Sequence, residues 1–93
     1  MNKEDLIKNI STQTNMTKKE VDLILTTSLE LIMDTVARGE TVRLVGFGSF
    51  HRHRRNKRIG RNPKNGISIE IPSSNTAKFS AGKFFKQRVN IME

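Results

Sequence analysis

From His51 to Arg58 the chain reads His-Arg-His-Arg-Arg-Asn-Lys-Arg, eight residues with no apolar side chain among them. Extended to Lys64, the stretch places seven cations, Arg52, Arg54, Arg55, Lys57, Arg58, Arg61 and Lys64, within thirteen positions. Such a segment builds no core. Asn62-Pro63 and Asn65-Gly66 are turn dipeptides, and after them Ile67, Ile69 and Ile71 alternate with Ser68 and Glu70 as a strand does. The two flanks predict a long hairpin with its tip in Arg61 to Gly66. A two-stranded ribbon without a second layer is marginal in water, so this hairpin is expected to project as an arm, mobile until it meets a partner. At ~3.3 Å per residue it reaches ~30 Å from its root.

The rest must supply the body. Asn2 and Asp5 are spaced as a capping box for a first helix, with Leu6, Ile7 and Ile10 as its apolar stripe and an end near Thr14-Asn15. Thr17-Lys18-Lys19-Glu20 opens a second helix, which closes at Arg38-Gly39 after roughly 20 residues, or ~30 Å. On a helical wheel Val21, Ile24, Leu25, Ser28, Leu29, Leu31, Ile32 and Val36 share one arc of ~160°, with Met33 just beyond. One short helix cannot cover that arc. A second copy of the chain is the economical partner. Past Glu40, Val42 and Leu44 alternate with Thr41 and Arg43, and Gly46-Phe47-Gly48-Ser49-Phe50 predicts a tight corner between strands with Phe47 and Phe50 as core anchors. Ser80 precedes a last helix from about Ala81, apolar at Phe84, Phe85 and Val89 and basic at Lys83, Lys86 and Arg88.

Composition narrows the function. Of 93 residues only 34% are hydrophobic and none is Cys, so neither disulfides nor a cysteine-built zinc site can support a small core, and self-association is the common remedy. The missing Cys fits a reducing compartment. No apolar run approaches the ~18 residues of a membrane span and the start lacks a signal peptide's apolar stretch, so the expectation is a soluble intracellular protein without a membrane partner. Residues 1–45 carry six basic and seven acidic side chains, whereas residues 46–93 carry eleven basic and two acidic, Glu70 and Glu93. The positive excess lies in one half, which points to a polyanion, most commonly nucleic acid.

The usual catalytic patterns fail. A dinucleotide fingerprint starting at Gly46 and Gly48 would need a third Gly where His51 stands, and there is no P-loop. Those glycines suit a strand corner, with backbone N–H groups that could approach phosphate as a secondary role. His51 and His53 share a strand face but lack a third ligand nearby in sequence, so a solvated or phosphate-facing pair is expected rather than a metal site. No nucleophile set or acid–base pair is recognisable, so neither an enzyme nor a cofactor is expected. In the arm, cations neutralise phosphate irrespective of sequence, while Arg and Asn near the tip can enter a minor groove. Pro63 has the shape of a wedge that unstacks a base step, and equally that of an ordinary turn proline.

Gly46-Phe47-Gly48-Ser49-Phe50, Gly60-Arg61-Asn62-Pro63, Ile69-Glu70-Ile71-Pro72 and Phe79-Ser80-Ala81-Gly82-Lys83 occur in the order and spacing of the bacterial HU/IHF family of histone-like DNA-bending proteins. The resemblance covers essentially the whole chain. It implies an α+β fold: an intertwined homodimer with a helical body of two N-terminal helices and a short C-terminal one, and a three-stranded antiparallel sheet extended into a β-ribbon arm per subunit. Residues 1–50 and 75–93 would form the body and 51–74 the arm of a single domain. On matching positions, the resemblance makes Pro63 the intercalating wedge, Arg61 and Asn62 minor-groove contacts, and Lys83 a phosphate contact at a helix N-terminus. The arm cations Arg52, Arg54, Arg55, Lys57, Arg58 and Lys64 would follow the backbone, and Asn65, Lys3, Gly46 and Gly48 complete the expected DNA-binding set. Phe47, Phe50 and Phe79 look like the family's core aromatics.

Ala77 and Ala81 stand where many relatives have Pro, and the strand from His51 to Arg55 lacks the acidic residue relatives often carry there. The Phe-Ser-Ala-Gly-Lys-Phe-Phe segment resembles cyanobacterial members, and a plastid source fits as well as a bacterial nucleoid. The leading expectation is a homodimer that bends and compacts double-stranded DNA with little sequence specificity, favouring bent, nicked or distorted forms. The alternatives are an IHF-like, site-specific subunit of a heterodimer, an RNA-binding module, and an interaction module for acidic proteins.

Overall fold

The computed structural model describes residues 1–91; Met92 and Glu93, the end of the segment assigned to the body, lie outside the described residues. Two compact units divide after Asp34. The first holds α1 (Lys3–Thr14) and most of α2 (Lys18–Ala37). The capping boxes form as expected. The Asp5 N–H donates to Asn2 Oδ1 at 2.9 Å and the Asn2 N–H to the Asp5 carboxylate at 3.2 Å. At α2 the Glu20 N–H donates to Thr17 Oγ1 at 3.1 Å, and the Thr17 hydroxyl to Glu20 Oε1 at 2.8 Å. Asn15 ends α1 in the left-handed region at φ 57°, a conformation Asn tolerates better than most residues. Within this unit Lys3 Nζ donates to Thr26 Oγ1 at 2.7 Å and lies 3.5 Å from the Asp22 carboxylate.

The second unit begins with the end of α2, which closes in a Schellman motif. The Glu40 N–H reaches the Thr35 carbonyl at 3.1 Å and the Gly39 N–H the Val36 carbonyl at 2.9 Å, with Gly39 at φ 91°. The wide apolar arc is real but largely uncovered within one chain. Among the described residues Val21 and Val36 are the buried hydrophobics, while Ile24, Leu31 and Met33 remain 55%, 62% and 61% exposed.

β1 (Val42–Leu44), β2 (Gly48–Arg55) and β5 (Ser74–Ala81) form an antiparallel sheet in the order β1-β2-β5. The β1–β2 corner is a turn from Leu44 to Phe47, closed by the Phe47 N–H on the Leu44 carbonyl at 3.0 Å, with Gly46 at φ 85° in its third position. β2 and β5 pair along all eight residues, from Gly48 opposite Ala81 to Arg55 opposite Ser74. Phe47, Phe50, Phe79 and Phe85 cluster at this end; the Phe50 and Phe79 centroids are 4.8 Å apart and Phe47 lies 5.2 Å from Phe79, all rings tilted.

Two expectations need correction. The return flank of the hairpin is two strands, β4 (Ser68–Ile71) and β5, and the outgoing flank likewise splits into β2 and β3 (Arg58–Arg61). The last helix, α3 (Lys83–Ile91), starts two residues later than expected, because Ser80 and Ala81 are held in the ladder opposite Ser49 and Gly48. The Gly82 N–H then donates to the Phe47 carbonyl at 2.8 Å, and the Lys86 N–H to the Gly82 carbonyl at 3.0 Å opens the helix.

Gly48 is fixed by space. A Cβ there would lie 2.5 Å from the Ser80 carbonyl oxygen and 2.7 Å from the Phe79 ring, at φ 158°. Gly48→Ala is therefore expected to cost about 3 kcal/mol, and about 4–8 °C of melting temperature per kcal/mol at this size. Calorimetry checks this; a variant melting with the parent would refute the close approach.

Candidate nucleic-acid interface

The ribbon is continuous in register yet interrupted in hydrogen bonding. Arg55 faces Ser74 and Arg58 faces Ile71, three residues further along both flanks, so β3–β4 prolongs the pairing of β2–β5. Between them Asn56-Lys57 and Pro72-Ser73 carry no ladder. Pro72 has no N–H to donate, which accounts for a break at this position. The pairing also sorts the side chains of β2. Arg52 and Arg54 share a face with Ala77 and Asn75, whereas His51, His53 and Arg55 share the other with Lys78, Thr76 and Ser74. Positive charge is thus presented on both faces.

The cations differ in what they hold. Arg52 Nη1 donates to the Ala37 carbonyl at 3.1 Å, and its guanidinium lies where a Cβ on Gly39 would come within 2.9 Å. Arg52 therefore satisfies a carbonyl at the C-terminal end of α2, whose last turn contains no basic residue of its own. Sequence reading missed this role: Arg38 already stood as the cation at the end of α2, and the Arg52 contact spans fifteen positions. Arg54 Nη2 donates to Ser73 Oγ at 3.3 Å, beside the ladder break. Lys57, in the break, pairs with Glu70, both well exposed, a contact worth at most about 1 kcal/mol and readily exchanged for a phosphate. Arg55, Arg58, Arg61 and Lys64 are exposed and have no side-chain partner among the described residues.

The tip is more ordered in its bonding than turn dipeptides require. The Asn62 N–H donates to the Ile67 carbonyl at 2.9 Å and the Gly66 N–H to the Asn62 carbonyl at 2.8 Å, with Gly66 at φ 70°. Asn62 Oδ1 accepts from the Lys64 N–H at 2.9 Å, and Asn65 Oδ1 from the Ile67 N–H at 3.0 Å. Both asparagines brace the loop through side-chain turns. Pro63 sits inside the first of these turns and is exposed. The loop holds the ring outward without covering it.

The remaining expected residues lie elsewhere. Lys83 is exposed as the first residue of α3. Gly46, Gly48, Ser49, Ser80 and Gly82 line a shallow depression of the second unit, where Gly46 is exposed and Gly48 buried in the sheet. Lys3 belongs to the first unit, its ammonium already engaged by Asp22 and Thr26. No helix of the described residues is long and apolar enough to cross a membrane.

The chain is matched over residues 1–90 by the model of a family described as bacterial DNA-binding protein. It is 45% identical to the DNA-binding protein HU of a Nostoc species, with 96% of this chain and 95% of the relative covered, and 44% identical to HU of Staphylococcus aureus, covering 96% and 99%. Among solved structures, a cocrystal of Anabaena HU with DNA superposes with a TM-score of 0.86 at 45% identity, covering 96% of this chain and 97% of the other. HU from Thermotoga maritima superposes with a TM-score of 0.68 at 36% identity, over 96% and 98%. A charged ribbon, a braced tip and a whole-length match to such relatives lead to one assignment: the chain belongs to the HU family of bacterial DNA-binding proteins, a family of histone-like DNA binders and not of enzymes.

Proposed function

We propose that the chain acts as a homodimer that binds double-stranded DNA with little regard to sequence and bends it. Residues 51–74 serve as an arm along the minor groove, Pro63 inserts between base pairs, and residues 1–50 and 75–93 form the dimer body. The observation that carries this reading is the exposed Pro63 at the head of a ribbon whose Arg55, Arg58, Arg61 and Lys64 are exposed and have no side-chain partner among the described residues. A wedge exchanges a few kcal/mol of unstacking for a bend that lets the body meet more phosphate. Apolar side chains are left uncovered in each unit, Leu31 and Met33 in the first and Phe84 and Val89 in the second, and a second copy is the partner that would cover them. DNA that is already bent, nicked or distorted is then preferred, and compaction of nucleoid DNA is the expected role.

Binding to intact, nicked and pre-bent DNA duplexes and to an RNA duplex, compared in gels across a salt series, tests it. Affinity is expected to be highest for the distorted DNA and to fall steeply with salt, by ~0.9 log units per phosphate neutralised for each tenfold rise in salt. Lys83→Ala is expected to weaken binding to every DNA form alike and to lower the salt slope by about one. Equal affinity for RNA, whose minor groove is wide and shallow, would contradict the groove-following arm. A salt-independent affinity would contradict phosphate tracking.

A further inference from the structure

β2 enters the arm on the face that carries Phe50, and the next side chain on that face is Arg52. Its guanidinium turns back to the last turn of α2, which lies in the same unit. Nη1 donates to the carbonyl of Ala37, the final residue of the helix, while the Val36 and Thr35 carbonyls are taken by the Gly39 and Glu40 N–H groups. Gly39 makes the berth: at φ 91°, a Cβ there would stand 2.9 Å from Nη2 and 3.3 Å from Cζ of Arg52. Arg38, the cation that follows the helix in sequence, donates instead to Thr35 Oγ1 at 3.4 Å. At the negative end of a helix a guanidinium is held by charge as well as by its hydrogen bond. Arg55, on the opposite face of β2, has no side-chain partner among the described residues. A tie at the root acts on a long lever. Pro63 lies eleven positions beyond Arg52, about 35 Å of strand. A swing of about 10° at the root carries the tip roughly 6 Å, the width of the minor groove.

We propose that Arg52 is a positioning residue and not a phosphate contact: by holding the end of α2 it fixes the direction in which the arm leaves the sheet, and so where Pro63 meets the duplex. This rests on the arm-and-wedge reading above. The guanidinium stays on the Ala37 carbonyl when DNA binds, so Arg52 does not enter the count of neutralised phosphates. An arm released at its root still carries the cations that follow the phosphates. Fewer of its orientations place the tip over the groove, and apparent affinity falls with that fraction.

Two full-length variants separate position from charge. Arg52→Gln removes the tie together with one charge. Gly39→Asn keeps every cation and puts a Cβ where the guanidinium lies, and Asn accepts a positive φ better than other side chains. Each is titrated onto an intact duplex carrying a dye at either end, which gives the affinity, its salt slope and, in single molecules, the distribution of end-to-end distance. Circular dichroism checks that the helices are retained; should one variant fail to fold, the other decides. Both are expected to bind about threefold more weakly than the parent, with a broader distance distribution and less mean shortening, and both to keep the parent's salt slope. Arg55→Gln, by comparison, is expected to lower that slope by about one. A slope lowered by about one in Arg52→Gln makes Arg52 a phosphate contact and overturns the proposal. A folded variant of either kind that keeps the parent's distance distribution overturns it too and leaves the bending reading standing. A parent that leaves the duplex at the length of free DNA removes the bending reading itself, and this proposal with it.

Discussion

Pro63→Ala is expected to abolish most bending of an intact duplex while leaving much of the affinity for nicked DNA. The loop at the tip is closed by bonds from the backbone of Asn62, Lys64, Gly66 and Ile67, none of which uses the proline ring. The substitution therefore removes the ring without dismantling the loop that carries it. On the proposed reading the parent unstacks a base step of intact DNA at a cost of a few kcal/mol, and a methyl group is too small to fill the gap. At a nick that cost is largely absent, so the cations of the arm still find their phosphates. Ligase-mediated circularisation of short duplexes reports the bend and gel titration the affinity. If the variant circularises intact duplexes as well as the parent at saturation, Pro63 is only a turn residue and the arm is an electrostatic clamp.

The second large effect is expected at Leu31. It lies in the apolar arc of α2 and is 62% exposed in a single chain, whereas Val21 of the same arc is 3% exposed. If a second copy covers Leu31, Leu31→Asp places an unpaired carboxylate in an apolar contact and forfeits the burial of a large side chain, together at least about 3 kcal/mol. That weakens dimerisation by more than about a hundredfold, and because so little of one chain is buried by itself, helicity should fall with it. Sedimentation and circular dichroism over a concentration series measure both. Leu23→Asp is the control: Leu23 lies on the opposite side of α2, is 69% exposed, and should change stability by no more than about 0.5 kcal/mol. A folded, dimeric Leu31→Asp protein would show that the arc is not the interface.

How far the sequence was legible follows from the range of the interactions involved. Caps and turns are local, so Asn2 with Asp5, Thr17 with Glu20, Arg38-Gly39 and the Gly46 corner announced the helix ends and the β1–β2 turn within a residue or two. The apolar arc of α2 was equally readable, since it depends on periodicity alone. The boundary of α3 was not, because Ser80 and Ala81 are claimed by strand partners more than thirty positions away. Nor was the split of the ribbon, which needs Asn56-Lys57 to lie opposite Pro72-Ser73 before the missing N–H matters. At the site, composition found the cations but could not rank them. Arg52 and Arg55 look alike in sequence, yet one satisfies the end of α2 and the other has no side-chain partner among the described residues. Asn62 and Asn65 were legible as turn formers from their dipeptides; that both close the loop through the side-chain oxygen shows only in the structure.

The claim on which the account turns is that the bound duplex is bent by the arms. Energy transfer between dyes at the two ends of an intact duplex, followed during titration with the parent protein, measures this directly. The account predicts that the end-to-end distance shortens in step with binding and approaches, at saturation, the distance seen with a duplex nicked at its centre. A duplex that keeps the end-to-end distance of free DNA while binding saturates would contradict it.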